Sequence, residues 1–160
     1  MERDPGPDLR RTGRVIALDT NLLVYAHRQD SAWHAAAAAV VRSLAEGTTP
    51  WAIPWPCLHE FLAIVTHPRI YQPPSSTADA RAQVTAWMES PTLVLLSEGV
   101  GYWETLSGVL QKARVDGARI HDARIAALCL HHRVKELWTA DRDFSRFPAL
   151  AAVNPLVGGD

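Results

Sequence analysis

The stretch RVIALDTNLLVYA, residues 14–26, decides how the chain is read. Val15 to Leu18 are apolar without a break, and Leu22 to Tyr25 are apolar again. A short apolar run without alternation predicts a strand buried on both faces, as in a parallel sheet. The residues TNLLVYAH after it predict a helix. Asp19 stands between the two, at the carboxyl end of the strand, in what reads as the middle of a core. A lone carboxylate is costly to bury unless a proton, a partner or a cation offsets its charge.

Outward from that point, strands alternate with helices. HAAAAAVVRSLAEG predicts a helix from His34, closed by Gly47. WAIPW around Ile53 predicts a second strand. PCLHEFLAIVTH predicts a helix with Pro56 in its first turn, running to the residue before Pro68. RIYQPPSS is a loop, and TADARAQVTAWMES a helix with a hydroxyl cap and an acidic first turn. TLVLL predicts a third strand, and YWETLSGVLQKARV a helix followed by Gly117. HDARIAALCLHHR predicts a further helix, ELWTA a fourth strand and AAVNPL a fifth at an edge. This order predicts an α/β fold, with helices flanking a mostly parallel central sheet. Ligands in such folds sit outside the carboxyl ends of the strands, which makes Asp19 a candidate.

The 160 residues are 48% apolar and 21% charged, enough for one core and too apolar for a disordered chain. One domain is expected over residues 14–156. Residues 1–13 are polar with two prolines and read as a flexible tail; they lack the apolar segment of a secretory signal. No apolar run is long enough to span a bilayer. Cys57 and Cys129 show no metal or redox spacing and read as buried free thiols, which fits a cytoplasmic protein. The net charge of −1 gives no overall basic signature for nucleic acid, although the cations are almost all arginine.

Three more acids occupy places comparable to that of Asp19. On a helical wheel Glu60 borders the apolar arc of its helix, and taken alone a solvated first-turn Glu is the better reading. Asp122 lies on the apolar stripe with Ile125, Ala126 and Cys129, while Arg124 and His131 point the other way; a helix cap and a site residue both fit. Asp141 follows the strand ELWT, where a turn residue is the simpler reading, and Asp143 lies two further on. The combination says more than its members. Four carboxylates in one crevice, roughly 6 Å apart at an effective dielectric near 20, repel by about 3 kcal/mol per pair. Their sum approaches the whole stability of a domain, about 5–15 kcal/mol. Cations or protons must compensate, and an all-oxygen set without Cys or His selects hard ions such as Mg²⁺ or Mn²⁺.

The segments ALDTNLLVYA, HEFLAIVTHP, HDARIAAL and LWTADRDFSRFP, in that order, resemble the PIN-domain ribonucleases, and among them the VapC-type toxins of toxin–antitoxin pairs. The resemblance spans nearly all of the chain from Arg14 to Leu156. It implies a three-layer α/β/α sandwich and a Mg²⁺- or Mn²⁺-dependent endoribonuclease that leaves a 5′ phosphate and a 3′ hydroxyl. It assigns the acidic quartet to Asp19, Glu60, Asp122 and Asp141. Asp19, Asp122 and Asp141 are then metal ligands, direct or through water, and Glu60 a ligand or a group that orients water. Asn21 and Thr139 hold carboxylates, and Asp143 assists. Apart from the resemblance, Arg119, Arg124 and Arg142 crowd the sequence near the last two acids and His121 adjoins Asp122; all four are candidate RNA contacts, although solvated helix faces explain each arginine equally well. The resemblance also implies a VapB-type antitoxin as partner and a homodimer.

Two rivals remain beside it. Another Mg²⁺-dependent phosphoryl hydrolase, of the haloacid-dehalogenase kind, needs a second Asp two positions after the first, where this chain has Asn21. A non-catalytic binding module on the same fold would not need the quartet intact. Neither GxGxxG nor a phosphate-binding loop occurs.

Overall fold

The structure, a computed structural model, describes residues 14–157. The expected tail over 1–13 lies outside the described residues. Five strands form one sheet: β1 (Ile16–Leu18), β2 (Trp51–Pro54), β3 (Leu93–Leu96), β4 (Glu136–Trp138) and β5 (Ala151–Val153). All pairings are parallel and the order is β3-β2-β1-β4-β5. Six helices connect them: α1 (Thr20–His27), α2 (His34–Ala45), α3 (Trp55–Val65), α4 (Thr77–Met88), α5 (Tyr102–Ala113) and α6 (Ile120–His131). Two short 3-10 turns, Gly117–Arg119 and Arg142–Arg146, precede α6 and follow β4.

The strand order puts the reversal of direction beside β1. The chain steps outward from β1 to β2 to β3, then returns to β1's other side with β4. Ile16 pairs with both Trp51 and Glu136, so β1 is fully flanked and all three of its residues are buried. With crossovers of the usual right hand, α1 to α4 cover one face and α5 and α6 the other, giving three layers. The crevice of such a sheet opens at the carboxyl ends of β1 and β4. Asp19 and Asp141 stand there.

The core explains why these segments hold. Leu18, Leu22, Leu23, Trp51, Ile53, Leu58, Phe61, Leu128 and Leu137 are all completely or nearly completely buried. Phe61 packs against Trp87 at a centroid distance of 4.9 Å and edge-on to His27 at 5.3 Å, joining α1, α3 and α4. Both cysteines are free and buried.

Two helix ends differ from the sequence reading. Gly47 does not close α2 with a left-handed turn; the helix ends at Ala45, and a Cβ on Gly47 would come within 2.9 Å of the Ser43 carbonyl oxygen. Close approach, not a positive φ, is what requires glycine there. After α5 the left-handed residue is Arg114 (φ 53°), whose N–H donates to the Leu110 carbonyl, three residues before Gly117. Gly117 (φ 57°) opens the 3-10 turn before α6 instead.

Phe61→Ala is expected to cost about 3–5 kcal/mol of stability, the usual range for emptying an aromatic core site. Val153→Ala, on the exposed edge strand, is expected to cost under about 1 kcal/mol. Urea denaturation of the two variants measures the contrast, and equal losses would contradict the packing described.

Candidate active site

Asp19 directly follows β1 and caps α1. Its backbone N–H donates to the Trp138 carbonyl at 3.0 Å, which fixes it to β4. Its backbone is extended (φ −81°, ψ 162°), so the side chain turns back over the helix start. Oδ1 accepts from the Thr20 N–H at 2.8 Å and from the Cys57 thiol at 3.7 Å. Oδ2 accepts from the Thr139 hydroxyl at 2.8 Å and, at 3.4 Å, from the Asn21 amide. The residue is 5% exposed. Burial pushes its pKa up to about 6, against the pull of the Thr139 and Thr20 hydrogen bonds; Glu60 adds to the rise. Burial also pushes the Cys57 thiol up, so it stays protonated and able to donate.

Thr139 is the junction. Its hydroxyl donates to Asp19 Oδ2 and accepts from the Asn21 amide at 3.2 Å and the Asp141 N–H at 3.0 Å. One O–H and two lone pairs are all used. Asn21 Oδ1 accepts from the Ala140 N–H at 3.0 Å, so Asn21 ties α1 to the segment after β4. Asp141 caps the following 3-10 turn: its Oδ1 accepts from the Asp143 N–H at 2.8 Å. The turn-residue reading and the site reading of Asp141 therefore coexist.

That turn brings Asp143 round to its neighbours. Asp122, Asp141 and Asp143 each offer a carboxylate oxygen within 4.8 Å of the other two. Asp122 is in the first turn of α6 but not its cap; the cap position is Arg119, without a side-chain bond. Burial raises the Asp122 pKa, and Asp141, Asp143 and Glu60 add to it, while Arg119 opposes. Among the described residues no arginine or lysine pairs with any of the three acids. A hard divalent ion matches this set: all donors are oxygen, no ion pair among the described residues engages them, and two of them reach solvent.

Asp19 and Glu60 are not in that triad. They are joined to it and to each other by hydroxyls. Thr20 Oγ1 donates to Glu60 Oε2 at 3.0 Å, and Thr20's own N–H holds Asp19. Glu60 is exposed and lines, with Asp122, a cleft of about 560 Å³ between α3 and α6. His121 and Arg124 line the same cleft. The wheel sends Arg124 away from Asp122, yet its long side chain curls to the rim, where Nε and Nη2 both donate to Glu98 Oε1 at 3.1 and 2.8 Å. Arg142 lies with Asp141 in a separate hollow of about 500 Å³ toward β5. Arg119 is half-buried and its Nη1 is enclosed without a partner among the described residues.

Sequence reasoning did not find Thr20 or Cys57. Thr20 looks like any first helical residue, although it directly follows Asp19. Cys57 sits one turn before Glu60, and the helix turns its thiol inward to Asp19 while Glu60 faces the cleft.

A model of the PIN domain matches residues 16–150. VapC ribonuclease Mb2897 of Mycobacterium bovis and ribonuclease VapC43 of Mycobacterium tuberculosis are each 33% identical over 144 residues, 90% of this chain and 97% of theirs. Ribonuclease VapC33 of M. tuberculosis is 32% identical over 142 residues, 89% of this chain and 99% of its own. Among solved structures, VapBC2 of Rickettsia felis, bound to a DNA fragment from its promoter, aligns with a TM-score of 0.63 at 18% identity, covering 88% of this chain and 98% of that one. VapC20 of M. tuberculosis, described as a toxin cleaving the sarcin–ricin loop, aligns with a TM-score of 0.59 at 16% identity over 81% of this chain and 92% of that one. The acids gathered at the crevice thus stand on a fold and in a sequence that agree: the chain belongs to the PIN domain family, with the VapC ribonucleases among its relatives.

Proposed function

We propose that this protein is a divalent-metal-dependent endoribonuclease, the toxin of a toxin–antitoxin pair, acting in the cytoplasm. The observation that carries the reading is the Asp122–Asp141–Asp143 triad, wired through Thr139 to the buried Asp19. The VapC relatives at 33% identity support ribonuclease chemistry. Fold neighbours crystallised as VapBC complexes support a VapB-type antitoxin as partner, and a homodimer is part of the proposal.

Asp122, Asp141 and Asp143 would hold Mg²⁺ or Mn²⁺, with Asp19 behind them. When bound, such an ion lowers the pKa of water and stabilises charge on the departing oxygen of a phosphodiester. The chain's own part is placement. Thr139 fixes Asp19 and Asp141 in one frame. Thr20 holds Glu60 by Oε2, which leaves Oε1 to accept a proton from the attacking water and aim it at phosphorus. Burial holds the Asp19 pKa at about 6, and a cation in front of it would favour its ionised form.

Asp141→Asn is expected to lower RNA cleavage in Mg²⁺ by roughly a hundredfold or more. Thr139→Val, which removes only the junction hydroxyl, should cost about 10–100-fold. Chelation by EDTA should abolish cleavage, and added Mn²⁺ should restore it. A fluorogenic RNA assay reads all three; wild-type turnover in EDTA, or in Asp141→Asn, would refute the reading.

A pH dependence follows from Asp19. Its folded pKa of about 6 lies above the usual carboxylate value of 3.8, so the folded state binds the proton more tightly. The corresponding stability is fully present below the unfolded pKa and is lost as pH rises through about 6. The shift corresponds to about 3 kcal/mol. Asp19→Asn should abolish cleavage yet, in ion-free protein, gain about that much relative to wild type between about pH 4 and about pH 7. Denaturation curves at both values check this, and a pH-independent difference would refute it.

A further inference from the structure

The cleft between α3 and α6 carries more than two acids. Pro56, His59, Glu60 and Ala63 line it from α3; Ala118, His121, Asp122 and Ile125 line it from α6 and the turn before it. Each set recurs at intervals of three and four residues, which is one helix face. The two faces match in kind. Each presents a His–acid pair, His59–Glu60 and His121–Asp122, and each has an alanine, Ala63 or Ala118, beside it. Alanine leaves room, and the cleft stays open at about 560 Å³.

Both histidines are exposed, and neither ring nitrogen bonds another group among the described residues. By contrast His27, His34 and His132 are all hydrogen-bonded to protein. His59 lies beside Trp55, at a centroid distance of 6.1 Å, and near Glu98, whose carboxyl its own backbone N–H and Arg124 hold below the usual range, with His59 adding to the pull. Arg124 stands on the same rim, its fork occupied by Glu98 on a single oxygen. Imidazole and guanidinium donors interleaved with carboxylates on the two faces suit an anion that must approach acids without being repelled.

We infer that His59 and His121, with Arg124, form a subsite that grips the backbone phosphate of single-stranded RNA next to the scissile bond. The inference rests on the ribonuclease reading and adds to it the strand's path, along the alanine-floored groove between α3 and α6. Glu98 keeps Arg124 at the rim and is displaced by phosphate when the strand enters.

The test uses the full chain and a short fluorescein-labelled single-stranded RNA. Binding is followed by anisotropy in Mg²⁺ in the Asp141→Asn background, so that the strand stays whole; cleavage is followed separately with Asp141 intact. His59→Ala and His121→Ala should each weaken binding about fivefold, the loss of one hydrogen bond. The cleavage defect should fall on KM rather than kcat, and calorimetric Mn²⁺ binding should not move. His59→Arg should recover the affinity. Glu98→Gln, which frees Arg124, should tighten binding and steepen its salt dependence by about 0.7 in the log–log slope, one phosphate contact on a single strand.

Wild-type affinity in both alanine variants would overturn the subsite while leaving the nuclease reading intact. So would a loss in kcat accompanied by weaker Mn²⁺ binding, since the histidines would then serve the acids. Unchanged RNA binding with loss of a co-purifying protein would assign the groove to a protein partner instead. If the wild type cleaves no RNA, the nuclease reading fails, and the anisotropy series still decides whether the groove binds the strand.

Discussion

The structure depends on one hydroxyl. Thr139 follows β4 at the point where the strand order reverses, and its Oγ1 meets Asp19, Asn21 and the Asp141 backbone at once. Those groups come from the two ends of the chain, and among the described residues no other side chain bonds to all three. Replace the hydroxyl by a methyl group and Asp19 loses its shortest side-chain donor, while the Asp141 N–H loses its acceptor. A parallel pair, β1 with β4, makes the meeting possible, because both carboxyl ends arrive at the same edge.

This frame explains how so many acids are tolerated. Three carboxylates within 4.8 Å repel strongly, at about 3 kcal/mol per pair for an effective dielectric near 20. The fold spends stability on them in a graded way. Asp19 is enclosed and satisfied by four donors; Asp122 is half-buried; Asp143 faces solvent. Charge is thereby concentrated where water and a cation can enter, and kept neutralisable where they cannot. Glu60 stands at the open side, anchored by Thr20 and facing the groove that the RNA would follow.

Much of this is legible in the sequence because strand ends in a parallel sheet have fixed meaning. An apolar run followed by an acid places Asp19 and Asp141 at the crevice before any coordinates are known. The apolar stripe of α6 likewise turns Asp122 inward. Asp143 is harder. Its place in the triad depends on a 3-10 turn that Asp141's own carboxylate closes, and no periodicity reports such a turn. Thr20 and Cys57 depend on how α1 lies against α3, a matter of packing between segments about forty residues apart. Arg124 shows the limit of a helical wheel, which fixes where a long side chain starts and not where Glu98 draws its end. The glycines show a related limit: the left-handed residue after α5 is Arg114 and not Gly117, because where a helix ends shifts by a few positions, and Gly47 answers to close approach of the Ser43 carbonyl, which no sequence pattern reports.

The central claim is that Asp122, Asp141 and Asp143 share a divalent cation in front of Asp19. Anomalous diffraction from crystals soaked in Mn²⁺ tests it most directly. The account predicts a manganese peak at bonding distance from carboxylate oxygens of at least two of these three residues, with Asp19 next to it directly or through water. Full occupancy elsewhere on the protein, with no peak between these carboxylates, would contradict it.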